Sequence, residues 1–210
     1  MGQAITEKLV EAATRDGHVE EAMLYIAAYA FLLRVPSEAL PMVAGMQGAV
    51  GSLQANQDQL HKQQAVLSVQ GNQVILTLKR RKNKPRGSII RRECWCATSR
   101  NTCPRHKLGA YLGTKKMGNK LFPSFTPAKA SERLRARLSE IGIANANTYK
   151  MHDFRRGHTK DMQDKGACLR VILDAGEWRS PAFLAYMDKE KLEHDAVVEA
   201  HLDESSSEEE

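Results

Sequence analysis

The sequence predicts a mainly helical α+β protein that contains a small antiparallel sheet. Stretches near both ends of the chain carry apolar residues at intervals of three and four, which is typical of amphipathic helices. Three short segments between them, residues 65–69, 73–80 and 88–92, are rich in Val, Ile, Leu and Thr and are separated by turn residues. A chain of 210 residues can bury one good-sized core, so we expect one domain over residues 1–202.

The N-terminal part is expected to contain two helices, over residues 5–13 and 19–33. Apolar residues cover most of the surface of the second helix, which predicts that it is buried. Pro36 restricts the residue before it and turns the chain into a short segment, residues 37–43. Residues 45–64 are rich in Gly, Gln and Asn and are interpreted as a loop with some helix.

The predicted sheet has three strands. Gly71 and Asn72 stand between the first two segments, and such a pair is typical of a tight hairpin turn. A further turn at residues 83–87 leads into the third strand. Residues 93–120, which are rich in Gly and Lys and hold three of the four cysteines, are expected to form an irregular insertion.

Four helices are predicted after this insertion. Thr126 followed by Pro127 indicates the start of the first, and Gly142 its end. The other three are expected over residues 152–165, 168–175 and 180–199. Cys168 is interpreted as a core thiol on the apolar face of its helix. The acidic tail, residues 203–210, is expected to be disordered.

Basic residues are concentrated in the middle of the chain. The formal charge is +6, but the last eight residues hold five acidic side chains and no basic one, so the remaining 202 carry +11. Eight basic residues fall within fourteen positions: Lys79, Arg80, Arg81, Lys82, Lys84, Arg86, Arg91 and Arg92. Such a stripe neutralises phosphates and favours nucleic acid as the partner. A solvated hairpin face or a nuclear-import signal would have the same composition.

Nothing in the sequence predicts export or a membrane partner. Mean hydropathy is -0.47, and no apolar run approaches the length of about eighteen residues that crosses a bilayer. The first residues carry charges where a signal peptide would be apolar. We therefore expect an intracellular protein in a reducing compartment, and a nuclear one if the organism is eukaryotic.

Cys94, Cys96, Cys103 and His106 form the pattern Cys-x-Cys-x6-Cys-x2-His. Thiolates and imidazole are the ligands that zinc prefers in structural sites. The pattern is less specific than paired Cys-x-x-Cys knuckles, and two interpretations stay open: a structural zinc, or free thiols in a loop. A zinc ion here would stabilise the insertion and take no part in catalysis.

His152, Arg155, Trp178 and Tyr186 follow one another at spacings that suit three consecutive helices. Their order, with the run Gly-Glu-Trp-Arg-Ser-Pro-Ala-Phe-Leu-Ala-Tyr, resembles the second conserved block of tyrosine recombinases, especially those of eukaryotic mobile elements of the Crypton and DIRS kind. The run Phe-Leu-Leu-Arg-Val-Pro-Ser-Glu-Ala-Leu around Arg34 resembles the upstream arginine block of that family, with one extra residue. The resemblance implies the catalytic-domain fold of tyrosine recombinases.

The resemblance also implies a lysine on the hairpin between these two blocks. Lys82 is the first candidate for this catalytic residue, and Lys79 is the second. Such a lysine would give a proton to the 5′ oxygen that leaves when the DNA strand is cut. The other basic residues of the stripe, together with Arg156, would contact DNA.

The implied roles agree with what a phosphodiester requires. Arg34 and Arg155 would hold the non-bridging oxygens of the phosphate with permanently charged forks. His152 would donate to that phosphate or move the tyrosine proton. Trp178 would supply an indole N–H and a packing surface. Tyr186 would form a 3′-phosphotyrosyl bond, which conserves the bond energy for rejoining, and no metal or other cofactor is required for these steps.

The resemblance thus implies site-specific recombination or integration of double-stranded DNA by homo-oligomers assembled on it. Only 33 residues precede Arg34, fewer than the helical DNA-clamp domain of the family needs. This favours a second hypothesis, a non-catalytic DNA-binding remnant of a mobile-element recombinase. A third is a zinc-stabilised interaction module whose basic stripe serves nuclear import.

Overall fold

The computed structural model describes residues 1–47, 65–81, 84, 86–178, 181–188 and 190–192. About half of the described residues are helical, and four strands form one mixed sheet. The predicted α+β class is therefore confirmed. The helices are α1 (Gln3–Arg15), α2 (Val19–Ala30), α3 (Pro104–Gly113), α4 (Pro127–Glu140), α5 (Asp153–Asp164) and α6 (Leu169–Gly176). The strands are β1 (Met42–Gln47), β2 (Ala65–Gln70), β3 (Gln73–Leu78) and β4 (Ser88–Arg92).

Helix α2 forms the centre of the core. Residues 21–30 are all buried, and the helix contacts α1, α3 and α5. A helix that is apolar on nearly every side is stable only when other elements cover it, which is the arrangement the sequence predicts here. The helix ends at Ala30, and Leu32 then adopts a φ of 50°. Arg34 therefore lies in extended backbone after a turn, just before a short π-helix, Val35–Ala39.

The sheet has four strands in the order β1-β2-β3-β4, so the prediction of a three-stranded sheet is wrong. The two predicted antiparallel pairings are present, but β1 runs parallel to β2. A parallel partner is joined by a longer connection instead of a tight turn, and the short Met-Val-Ala-Gly run shows no clear period. Of the segment interpreted as a loop, residues 45–47 belong to β1 and residues 48–64 lie outside the described part.

The insertion after the sheet is more regular than the sequence predicts, because it contains α3. Pro104 occupies the first turn of this helix, where its missing N–H costs nothing. Leu108, Tyr111 and Leu112 are buried, and the helix packs on α2 and the sheet. Glycines and lysines between these apolar residues interrupt the helical period, which is why the pattern did not reveal the helix.

The C-terminal helices agree closely with the predictions as far as residue 176. The Thr126 side chain accepts a hydrogen bond from the Lys129 N–H, which caps α4 as the sequence indicates. Cys168 is exposed just before α6, so its interpretation as a core thiol is wrong. The next segment is a 3-10 helix, Pro181–Tyr186, instead of the start of a long α-helix.

A second, smaller apolar cluster is separate from the main core and includes two of the candidate site residues or their contacts. It consists of Leu32, Ile172, Trp178 and Met187, with Tyr186 packed against it. The rest of the helix predicted to reach residue 199, and the acidic tail, residues 203–210, fall mostly or wholly outside the described residues. Among the helices of the described part, none is both long and apolar enough to cross a bilayer.

Candidate active site and metal cluster

His152 and Tyr186 meet at the surface of the small apolar cluster. His152 is the residue before α5, and Tyr186 ends the 3-10 helix, so the fold brings together side chains 34 residues apart. The distance from His152 Nε2 to Tyr186 Oη is 2.7 Å. Burial, and then the positive charge of Arg155, lower the pKa of His152 below its usual value of 6.5. The imidazole is therefore neutral near pH 7 and can accept the tyrosine proton.

Arg155 lies one helical turn after His152 and is only 2% exposed. Its two terminal nitrogens donate hydrogen bonds to backbone carbonyls, Nη1 to Leu32 O at 2.6 Å and Nη2 to Gly176 O at 2.7 Å. The guanidinium carbon lies 4.3 Å from the centroid of the Trp178 ring. These contacts fix the guanidinium against Trp178, whose ring centroid is 5.8 Å from that of Tyr186.

Gly176 makes this close packing possible. A Cβ atom at this position would collide with the Trp178 indole, so no larger residue fits without moving the ring. The sequence pattern Gly-Glu-Trp is thus explained locally, since the glycine allows the tryptophan to fold back onto the end of α6.

Within the part of the chain that the structure describes, Arg155 makes no direct ion pair, although Glu38 lies near enough to act on its charge. Among the described residues, no carboxylate lies within 4.0 Å of its guanidinium nitrogens. Burial, followed by repulsion from Arg81 and Arg34, lowers the pKa of Arg155 to about 10, so it stays protonated near pH 7. A buried cation that is held by two carbonyl dipoles and an aromatic ring, without a direct ion pair, favours the arrival of an anion.

Arg34 and His152 line one side of a cleft of 460 Å³. Arg34 is part-exposed. Its backbone N–H donates to Glu38 Oε2 at 2.8 Å, and its side-chain Nη1 lies 3.4 Å from Glu38 Oε1. The cleft also contains Arg135 and Lys150, and the described residues that line it include no carboxylate. Arg135 and Lys150 could not be predicted from the sequence, because an isolated basic residue on a helix or in a loop carries no functional signal.

Arg81 is buried and is held by two carboxylates of the fold. It is 3% exposed and donates to Glu38 and Glu177, with Nε 2.9 Å from Glu38 Oε1 and Nη1 2.8 Å from Glu177 Oε2. Its Nη2 donates both to Glu38 Oε2, at 3.2 Å, and to Leu32 O, the carbonyl that also accepts from Arg155. The prediction that Arg81 binds nucleic acid is therefore at odds with its burial.

Glu177, the residue before Trp178, joins the end of α6 to the β3–β4 hairpin. It adopts a φ of 52°, and besides Arg81 it accepts hydrogen bonds from Lys84 Nζ and Ser88 Oγ, both at 2.6 Å. The pairing lowers the pKa of Glu177, although burial alone would raise it. The sequence does not predict this role of Glu177, because a single acidic residue between Gly176 and Trp178 gives no sign of its partners.

The remaining residues of the basic stripe are placed in three ways. Lys82, the first candidate for the catalytic lysine, lies outside the described residues. Arg92 is half-buried and its Nε donates to Ala30 O at 2.7 Å, so it is held by the fold. The exposed members are Lys79, Arg80, Arg86 and Arg91, together with Arg156, which packs over the Tyr186 ring.

The Cys/His pattern folds into one compact cluster that can hold a metal ion. The ligand atoms of Cys94, Cys96, Cys103 and His106 all lie within 4.8 Å of one another. His106 Nδ1 is 3.5, 3.2 and 3.4 Å from the three sulfurs in sequence order, and Cys94 and Cys103 sulfurs are 3.8 Å apart. A tetrahedral zinc would separate two sulfurs by about 3.8 Å and a sulfur and a nitrogen by about 3.6 Å. The donor set and its spacing therefore fit such an ion.

Comparisons of this chain with models of protein families, with characterised proteins and with solved structures return no match. The assignment of a function therefore depends on the geometry of the site and on the chemistry of its side chains.

Proposed function

We propose that this protein breaks and rejoins double-stranded DNA through a covalent bond between Tyr186 and a 3′ phosphate. The observation that carries the proposal is the 2.7 Å contact of Tyr186 Oη with a neutral His152, beside the Arg155 guanidinium, which forms no direct ion pair among the described residues. A hydroxyl nucleophile, a base within hydrogen-bond reach and a fixed cation are the groups that such a transfer needs.

In the proposed reaction His152 Nε2 takes the proton of Tyr186 as the phenolic oxygen attacks phosphorus. A bond forms between the tyrosine oxygen and phosphorus, and the bond from phosphorus to the 5′ oxygen breaks. The leaving oxygen takes a proton, for which Lys82 is the candidate on the basis of the resemblance. The reverse attack by a DNA 5′ hydroxyl rejoins the strand and returns the proton to Tyr186.

Arg155 and Arg34 would stabilise the negative charge that builds up on the phosphate oxygens. Arg155 contributes a guanidinium already oriented by Leu32 O and Gly176 O, so little reorganisation is required. Arg34 faces the cleft with Arg135 and Lys150, where the DNA backbone beside the scissile phosphate would lie. Trp178 orients Arg155 and packs against Tyr186.

The proposed substrate is double-stranded DNA, bound by oligomers of the chain during recombination or integration. The exposed basic residues around the hairpin supply charge for sequence-independent contacts to phosphates. A nuclear location would follow from this function in a eukaryotic cell.

A second candidate is a DNA-binding remnant that no longer cuts. It is favoured by one observation: both terminal nitrogens of Arg155 already donate to backbone carbonyls, and the side chain is almost fully buried. In this case the same basic cleft would bind the DNA backbone, and Tyr186 would be a packing residue.

For the Cys/His cluster we propose zinc in a structural role. Three thiols and one imidazole form a closed set of four ligands, which leaves no open position for a substrate. No step of the proposed DNA reaction passes through this ion.

The deciding experiment incubates the purified protein with nicked DNA duplexes, which trap a cleaved strand, and detects a covalent adduct on a denaturing gel. Since the target site is unknown, the duplexes include flanks of the source locus and a pooled library. We expect an adduct with the wild type and none with Tyr186→Phe, which keeps the ring but lacks the nucleophile. Tight, salt-sensitive DNA binding without an adduct would instead support the non-catalytic remnant.

A further inference from the structure

Trp95 connects the metal cluster to the core of the molecule. It lies between two cysteines of the cluster in the sequence, and its backbone N–H donates to Cys103 Sγ at 3.1 Å. Its indole meets two rings edge-on, with ring centroids 6.3 Å from Tyr29 and 5.7 Å from His158. Edge-to-face contacts of this kind are favourable and depend on orientation.

The two rings that Trp95 contacts join helices α2 and α5. Tyr29 of α2 stacks on His158 of α5 at a centroid distance of 4.5 Å. His158 Nδ1 lies 2.7 Å from Tyr29 O, and the Tyr29 hydroxyl donates to Asp161 at 2.6 Å. Helix α5 is the element that carries Arg155 and is preceded by His152.

The Cys/His cluster constrains the chain on both sides of Trp95, in addition to the hydrogen bonds that the Trp95 carbonyl accepts from the Thr98 and Ser99 N–H groups. Residues 93–97 belong to no helix or strand, and Cys94 and Cys96 contact His106 through their side chains. A short loop of this kind loses conformational entropy when it is ordered, and a bound ion that joins it to α3 offsets that cost.

We propose that metal binding at Cys94, Cys96, Cys103 and His106 holds Trp95 against Tyr29 and His158 and thereby fixes α5 on α2. The ion is thus a positioning device for the helix that carries the tyrosine-site residues. The inference uses the zinc assignment made above, and it holds whether or not Tyr186 cuts DNA, because it concerns helix packing alone.

The test begins with the metal content of the full chain, for which we expect about one zinc ion per chain. Trp178→Phe leaves Trp95 as the single tryptophan. In this variant, removal of zinc with a chelator is expected to shift the Trp95 emission to longer wavelength, and zinc is expected to restore it. Hydrogen exchange over α5 is expected to quicken when the wild type loses its metal.

Two variants separate the metal from the aromatic contact. Trp95→Ala should keep its zinc but show the fast exchange of α5, and Trp95→Phe should recover part of the protection. Cys168→Ser, which alters the exposed cysteine outside the cluster, should change neither metal content nor exchange.

Absence of bound metal after purification with added zinc would overturn the proposal. So would bound zinc whose removal leaves both the Trp95 emission and the exchange of α5 unchanged. Because neither readout requires DNA, a missing covalent adduct would count only against the proposed recombinase function.

Discussion

Two buried arginines show how differently this fold treats a positive charge. Arg137 of α4 is 1% exposed and is surrounded by the carboxylates of Asp16, Glu21 and Glu140. Arg155 is buried to a similar degree, yet its terminal nitrogens donate to two backbone carbonyls. The first charge is neutralised within the protein, and the second is oriented by dipoles that carry no net charge.

The difference supports the proposal that Arg137 serves the fold and Arg155 a phosphate ligand. A buried ion pair whose partners are all internal has no capacity left for an external anion. An oriented guanidinium without a counter-charge gains most when a phosphate arrives, because the phosphate supplies the missing negative charge. Burial and residue type alone would not separate Arg137 from Arg155.

The largest effect is expected from Arg137→Met, measured as the free energy of unfolding in denaturant. The change removes the fully buried partner of Glu21 and leaves it, among the described residues, only the partly exposed Arg133 as a cation. Breaking a buried ion pair in this way typically costs about 3–5 kcal/mol. Arg133→Met removes a partly exposed partner of the same Glu21 and should cost clearly less. If Arg137→Met unfolds no more easily than Arg133→Met, the assignment of Arg137 to the fold is wrong.

Arg155→Lys is expected to slow formation of the DNA adduct by about 10²–10³-fold, the usual cost of losing one oriented donor to a transition-state charge. A lysine keeps the charge but cannot reach Leu32 O, Gly176 O and a phosphate together. Rates are compared on the trapping duplex under single-turnover conditions, with exposed Arg170→Lys as the matched control. An unchanged rate would show that adduct formation does not depend on the Arg155 guanidinium.

The pH dependence of adduct formation tests the role of His152. Its pKa is lowered below 6.5 first by burial and then by Arg155. The base must be neutral to act, so the rate should be constant above pH 6.5 and fall as the pH drops through the lowered value. His152→Gln should be slower and should lose this dependence. Zinc content is measured at each pH, since protons also compete for the cluster ligands.

The smallest effect is expected from Lys150→Ala in the basic cleft. One lost phosphate contact should reduce the slope of log affinity against log salt by about 1, with little dependence on DNA sequence. Lys129→Ala is the matched control, because Lys129 lines a different cavity together with Glu20 and Glu21. Equal slopes for wild type and Lys150→Ala would place the DNA elsewhere.

The sequence alone predicted the features that are specified within one short segment of the chain. Helices α1, α2, α4, α5 and α6 and the β2-β3-β4 meander follow from apolar periodicity and from turn and capping residues such as Gly71 and Thr126. The residues that would hold a metal could also be predicted, because Cys94, Cys96, Cys103 and His106 lie close together in the sequence.

The tertiary structure decided the features that depend on contacts between distant segments. The parallel strand β1 and the burial of Arg81 between Glu38 and Glu177 have no local signature. The same holds for the cleft that brings Arg135 and Lys150 beside His152. A periodic pattern reports how one element meets its surroundings, whereas the partner of a charged side chain depends on which elements pack together, and that is fixed only when the whole core forms.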